Sequence, residues 1–332
     1  MNDSFDEGPS GTSDLVEAAQ ANPLLRRVDA LCGARAWDEL VELAHRCREA
    51  VERGKQLWPI AEHIDYRLAL EAPGTYAAAV LTPTAGRFAL GPLTEVAAST
   101  HSFDELAAHL SSPQTAGVVA AERVIRGENL EGRQEAHPEV LELPMALQPW
   151  EPSYVLPVYK PDDIAVPSVE LPPLSREGKV VRAEIIDDPD LSRALLDLVS
   201  IWVSDSNGKA DAVVTGGPAE SAIQALGEER FLVGEIDSRE ALLLMAWAAA
   251  SGGAHGRRKG AAMGRSGAWW AASDLCELDW PPDPDELTES LDQLRWYRWE
   301  PRRPVGGWNL HLAVEDPDRG WSAAVAAEDR SE

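Results

Sequence analysis

Residues 294–314 read Leu-Arg-Trp-Tyr-Arg-Trp-Glu-Pro-Arg-Arg-Pro-Val-Gly-Gly-Trp-Asn-Leu-His-Leu-Ala-Val. Two runs in this stretch, Leu294–Trp299 and Trp308–Val314, are rich in aromatic and aliphatic residues and read as strands with alternating faces. In the first, Trp296 and Arg298 fall on one face and Tyr297 and Trp299 on the other. Strands at this place, behind a series of helices, decide between an all-helical chain and a chain of two dissimilar domains.

Working back from these strands, Val180–Ile186, Ala210–Thr215 and Phe231–Ile236 also read as strands, and Ser322–Ala327 fits either a strand or a short helix. Helices lie between them. Asp188 and Pro189 supply an N-cap with proline at the first helical position, followed by Leu191, Leu195, Leu198, Val199 and Trp202 at helical spacing. Pro218–Leu226 is a short helix, and Asp237 with Glu240 caps the apolar run Ala241–Ser251. This order predicts an α+β domain over residues 179–332 with a mixed or antiparallel sheet.

The N-terminal half has a different grammar. Residues 1–13 are polar and acidic and are expected to be disordered. Residues 14–126 are mainly helical: Leu40, Leu43, Ala44, Cys47, Ala50 and Val51 form one apolar stripe, and Trp58–Pro59 opens a helix with Ile60, Ile64 and Leu68 inward. Ser102 and Glu105 form a capping box, and Pro113 starts a helix running to about Arg126. Tyr76–Leu81 and Arg87–Leu90 are expected to pair as a short hairpin. Between the two domains, residues 127–178 hold nine prolines, from Pro138 to Pro173, and read as a linker or surface arm that packs through Leu147, Trp150, Tyr154 and Tyr159.

The chain carries 30 basic and 56 acidic residues among 332, a net charge of −26. Both halves are acidic, so long-range repulsion disfavours nucleic acid and anionic membranes as partners of the whole chain. No apolar run approaches the length of a membrane helix, the first residues lack the features of a secretion signal, and three cysteines make no disulfide framework. A cytoplasmic protein is expected.

Against this acidic background, no Asp or Glu occurs between Glu240 and Asp274, where the average composition would place five or six. His255, Arg257, Arg258 and Arg265 lie inside that window, and Gly252–Gly253 is expected to place the first three in the opening turn of a helix, where free N–H groups favour an anion. Gly256, Gly260, Gly264, Ala268 and Ala272 recur every four residues, which predicts close helix packing. A second basic island contains Arg295, Arg298, Arg302 and Arg303, with Trp296 and Trp299 available to stack against a ligand. The sequence Val213–Pro218 lacks the lysine of a phosphate loop, Cys32, His45 and Cys47 match no zinc spacing, and Cys276 has no base nearby in sequence.

The segments Gln56–Pro59, Leu68–Gly74, Gly86–Pro92 and Gly252–Arg258 resemble a family of hypothetical proteins from GC-rich actinobacteria without an established activity. The resemblance implies a bacterial cytoplasmic origin and two halves that belong together. It assigns no cofactor, metal or catalytic residue. The expectation is therefore a non-catalytic interaction or regulatory protein with a protein partner. The alternative is a binding domain or enzyme for an anionic small molecule, held by His255, Arg257, Arg258, Arg265 and Arg298 and stacked on Trp296 or Trp299.

Overall fold

A computed structural model describes residues 9–82, 90–166 and 168–330. The chain forms two compact units: one contains residues up to Arg126 with Arg133–His137 and Val158–Ala165, and the other contains the remainder.

The first unit is helical: α1 (Pro9–Glu17), α2 (Ala21–Ala34), α3 (Trp37–Glu52), α4 (Trp58–Glu71), α5 (Gly74–Ala79), α6 (Leu93–Thr100), α7 (Phe103–Ala107) and α8 (Pro113–Val124). α1 begins inside the segment expected to be disordered. The apolar stripe of α3 buries Leu40, Leu43, Ala44, Cys47 and Ala50 against Ile60, Ile64 and Leu68 of α4. Ser102 and Glu105 close their capping box, and Pro113 occupies the start of α8. The two short strands β1 (Val158–Lys160) and β2 (Asp163–Ala165) pair antiparallel. Tyr159 of β1 donates its hydroxyl proton to the fully buried carboxylate of Glu95 at 2.7 Å.

The hairpin expectation fails at Tyr76–Leu81, which contributes to α5. The Pro73 carbonyl accepts from the N–H groups of Tyr76 and Ala77 at 2.8 and 3.1 Å, which starts a helical turn that the following alanines sustain. The other arm of that hairpin falls, apart from Leu90, outside the described residues.

The second unit is a seven-stranded sheet with helices on both faces. Its strands are β3 (Arg176–Glu177), β4 (Ile185–Ile186), β5 (Lys209–Gly216), β6 (Phe231–Ile236), β7 (Arg295–Pro301), β8 (Trp308–Asp316) and β9 (Trp321–Asp329). They lie in the order β3-β6-β7-β8-β9-β5-β4, and every pairing is antiparallel. Ser322–Ala327, open to two readings in sequence, is a strand and pairs with both β8 and β5. Only the last two residues of Val180–Ile186 join the sheet.

The helices of this unit are α9 (Pro189–Asp197), α10 (Ser200–Ser204), α11 (Ala219–Ala225), α12 (Ser238–Ala250), α13 (Ala261–Leu275) and α14 (Pro284–Gln293). The main core lies on one sheet face, where Leu195, Met245, Trp269 and Leu287 from four helices meet Trp296, Leu312 and Val325. On the other face, Ala219, Ala222 and Ile223 of α11 pack on Phe231, Tyr297 and Trp299. The alternation of β7 thus sends Trp296 into one core and Trp299 into the other.

The acid-free window does not form one helix. Residues 252–260 are a loop, and α13 starts only at Ala261, after Gly260 with φ of 101°. The loop is fixed by distant partners: Asp329 Oδ2 accepts from Ala254 N–H at 2.6 Å, and the Ala250 carbonyl accepts from Lys259 N–H at 2.8 Å. The small-residue stripe holds within α13 itself. A side-chain carbon at Gly264 would collide with the Ala246 carbonyl and come 2.7 Å from the Ala250 methyl, so α12 and α13 touch backbone to backbone.

Candidate ligand cavity

The structure separates the basic residues expected to act together. His255 and Arg257 are exposed in the 252–260 loop and Arg258 is half-buried there; both arginines have contacts of their own. Arg265 is sealed inside α13. Its Nε and Nη2 donate to the two oxygens of Glu151 at 2.7 Å each, and Nη1 donates to the Pro144 carbonyl at 3.0 Å. Tyr154 and Trp269 also donate to Glu151, at 2.6 and 3.1 Å. Burial would raise the Glu151 pKa, but the hydrogen bonds and charge of Arg265 hold it below the usual carboxylate value. Arg265 therefore anchors residues 144–151 and has no face turned to a ligand.

The second basic island is spread along the interior strand β7 and just beyond its end, with carboxylates beside it. Arg295 pairs with Glu315 at 3.3 Å, Arg302 with Glu177, and Arg303 with Glu228 and Glu328. Trp296 is buried in the main core and donates to the Leu291 carbonyl at 3.2 Å. It is a core residue and offers no stacking wall.

Arg298 and Trp299 do line a cavity together. β7 runs to Pro301 and β8 starts at Trp308, yet their ladder ends at the pair Arg298–Leu312. Past that pair the strands diverge, and a half-open cavity of about 220 Å³ lies there. α12 contributes Leu244 and Trp247 to its wall, β8 contributes Asn309, Leu310 and His311, and the arm before β3 contributes Ser168, Val169 and Leu171. None of His255, Arg257, Arg258 or Arg265 is among the lining residues.

The polar groups of this cavity are unusual. Trp247 Nε1, Trp299 Nε1, Arg298 Nε and both ring nitrogens of His311 are shielded from solvent and lack a hydrogen-bond partner among the described residues. Buried N–H groups are nearly always paired, because leaving one unpaired costs about 1–3 kcal/mol. Four such residues around one cavity mark a place where the protein's own polar groups stop short of satisfying each other. His311 is 4% exposed, and its ring centroid lies 4.5 Å from that of Trp299. Burial drives its pKa down to about 4; Glu328, with Oε1 3.5 Å from Nε2, opposes this, and Arg303 adds to it. The imidazole is neutral at pH 7, with one N–H and one free lone pair.

A larger groove of about 610 Å³ lies along α3 and α4 in the helical unit. Its buried carboxylate, Asp65, already meets Arg48 at 2.5 Å, and Tyr76 at its rim donates to Asp38 at 2.8 Å. The groove thus lacks the cluster of unpaired donors that distinguishes the β7–β8 cavity. The three thiols, Cys32, Cys47 and Cys276, are buried and free; burial raises them to about 11, 11 and 12, which disfavours a reactive thiolate. No helix among the described residues is long and apolar enough to cross a membrane.

Of the residues singled out in the sequence, Arg298 and Trp299 line this cavity; Trp247 and His311, which also line it, are not among them. The available signal was His311 itself, a titratable residue between Leu310 and Leu312 in a strand pattern that is otherwise apolar. Compared with known proteins, residues 22–331 match the family model described as "Family of unknown function (DUF6183)". No curated protein and no solved structure matches the chain.

Proposed function

The chain belongs to this family of unknown function, and on the geometry of its cavity we propose that it is a non-catalytic binding protein whose α+β unit holds a small molecule where β7 and β8 diverge. The observation that carries this reading is the cavity where β7 and β8 separate, lined by the polar side chains of Ser168, Arg298, Glu300, Asn309 and His311 and by the indoles of Trp247 and Trp299. The apolar wall from Val169, Leu171, Leu244 and Leu310 suits the body of such a ligand. The buried thiols with raised pKa support binding over thiol chemistry.

The test is a thermal-shift screen of small carboxylates, amides, phosphates and nucleosides against the full chain and a Leu244→Trp variant that fills the cavity. A ligand at 100 times its Kd stabilises by about 2.7 kcal/mol. The expected result is a shift with the wild-type chain that the filled variant loses. A panel without any shift, or shifts equal in both proteins, removes the reading.

A protein partner is favoured by a separate observation at the end of the sheet. β4 is the terminal strand, and its residues Ile185 and Ile186 are 63% and 40% exposed. An open edge with apolar side chains suits an extended segment of a partner added as a further strand. Changing Ile185 and Ile186 to lysine should abolish co-purification of such a partner while leaving ligand shifts intact; unchanged co-purification counts against this edge.

A further inference from the structure

We infer that the partner of the β4 edge is a second copy of this chain, paired antiparallel through residues Lys179–Asp187. This rests on β4 being an interaction edge, and the residues along that edge narrow which chain fits it.

The segment reads Lys179-Val180-Val181-Arg182-Ala183-Glu184-Ile185-Ile186-Asp187. It mirrors itself about Ala183, with apolar positions kept and charges reversed. Lys179 matches Asp187, Val180 matches Ile186, Val181 matches Ile185, and Arg182 matches Glu184. Two copies laid antiparallel, with Ala183 opposite Ala183, therefore set every basic residue against an acidic one and every Val against an Ile. Opposite charges and β-branched side chains that face each other across strands stabilise a pairing, whereas like charges oppose it. A parallel, in-register pairing would set Lys179 on Lys179 and Glu184 on Glu184, so the pattern selects the antiparallel one. Charges on a sheet edge ordinarily guard it against other strands. Here the two signs are segregated to opposite ends, and that guard does not act against an antiparallel copy.

The segment is also available. Every residue in it is exposed except the half-buried Val181, and Val180 and Ile185 are 66% and 63% exposed. No backbone group of residues 179–183 has a hydrogen-bond partner among the described residues. Lys179, Arg182, Glu184 and Asp187 likewise have no ion pair among them. On the β5 side, the Gly216 N–H donates to the Glu184 carbonyl at 3.0 Å. Backbone groups alternate in direction along a strand, so Ala183 and Ile185 turn theirs to the open side. Pairing Ala183 with its own copy brings two outward-facing residues together, as an antiparallel ladder requires. One short strand pair buries less than a standard interface, so the dimer should be weak and concentration-dependent.

The experiment is sedimentation velocity on the full chain at concentrations rising into the sub-millimolar range, where the wild type should pass from monomer to dimer. Arg182→Glu and Glu184→Arg each create two like-charge contacts across the twofold axis and should raise the dimer Kd about tenfold. Mixed in equal amounts, the two variants should dimerise as strongly as the wild type, because each then meets the opposite charge on the other. The double variant Arg182→Glu/Glu184→Arg should do so by itself. Recovery on mixing also shows that both variants are folded. A wild type that stays monomeric at every concentration overturns the self-pairing, as do single variants that dimerise like the wild type. Weakened variants that do not recover on mixing overturn it too, because the two positions then do not face each other. If the chain is monomeric while Ile185 and Ile186 still control co-purification of another protein, the edge reading stands and only the second copy is wrong.

Discussion

Arg265 and Glu151 face each other through two parallel N–H···O contacts of 2.7 Å, with both side chains closed to solvent. Removing one member of a buried ion pair leaves the other as an uncompensated buried charge, at a cost of about 3–5 kcal/mol. Arg265→Met should therefore lower the urea midpoint of the α+β unit strongly. Adding Glu151→Leu to it should restore some of the loss, because the orphan carboxylate is gone. Recovery should stay incomplete, since Trp269 and Tyr154 then lose the acceptor they share. A single variant as stable as wild type would refute the anchoring role of Arg265.

His311 makes a pH-dependent contribution whose sign is fixed by its buried setting. In the unfolded chain the imidazole titrates near 6.5, and in the fold near 4, chiefly through burial next to Trp299, with Glu328 opposing and Arg303 assisting. Below pH 6.5 the unfolded state takes up a proton that the folded state refuses. Stability from this residue is thus complete above about 6.5 and declines as the pH falls toward 4. The full difference corresponds to about 3 kcal/mol. Urea titrations from pH 7.5 to 4.5 should show the wild type losing stability faster than His311→Gln. Parallel curves would mean that the imidazole is not held neutral.

How much of this was legible in sequence depends on the range of the interactions involved. The capping signals Ser102–Glu105, Asp188–Pro189 and Asp237–Glu240 act over three residues, and each sits at a helix start in the structure. The strands at 294–299 and 308–314 were legible because alternation is local. The start of α13 was not. Residues 252–260 stay out of the helix because Asp329, distant in sequence, takes the Ala254 N–H. The opposite face given to Trp296 was readable from alternation, but nothing local shows that one face holds the main core. The cavity joins residues from 168 to 311 at a point where two strands stop pairing. That end of a ladder has no sequence signature, so nothing local marks Trp247 or His311 as lining the same cavity as Arg298 and Trp299.

The thiols provide an inexpensive check on core packing. Cys32, Cys47 and Cys276 are all buried with pKa values raised by burial. Thiolate is the reactive form, so the native chain should react with a disulfide reagent at pH 8 only through opening of the structure. The expected result is three slow thiols in native buffer and three fast ones in denaturant. Fast reaction of one thiol would locate a unit that opens readily: Cys32 and Cys47 report on the helical unit, and Cys276 on the α+β unit.

Two glycines in helices should respond to alanine in opposite directions. Gly33 lies near the end of α2 with nothing within 4 Å of an added methyl. Alanine there keeps the helical backbone and narrows the unfolded ensemble, so Gly33→Ala should stabilise by about 0.5–1 kcal/mol. Gly264 has the same helical backbone and the same propensity gain, but its methyl would be driven into the Ala246 carbonyl and the Ala250 methyl. Neither of those atoms can swing aside, because one is backbone and the other is a Cβ. Gly264→Ala should force α12 and α13 apart and cost about 1–3 kcal/mol despite the better propensity. The two variants, compared by urea denaturation, isolate packing from propensity. If Gly264→Ala stabilised the chain as Gly33→Ala does, the close approach of α12 and α13 would be wrong, and the small-residue stripe would need another cause.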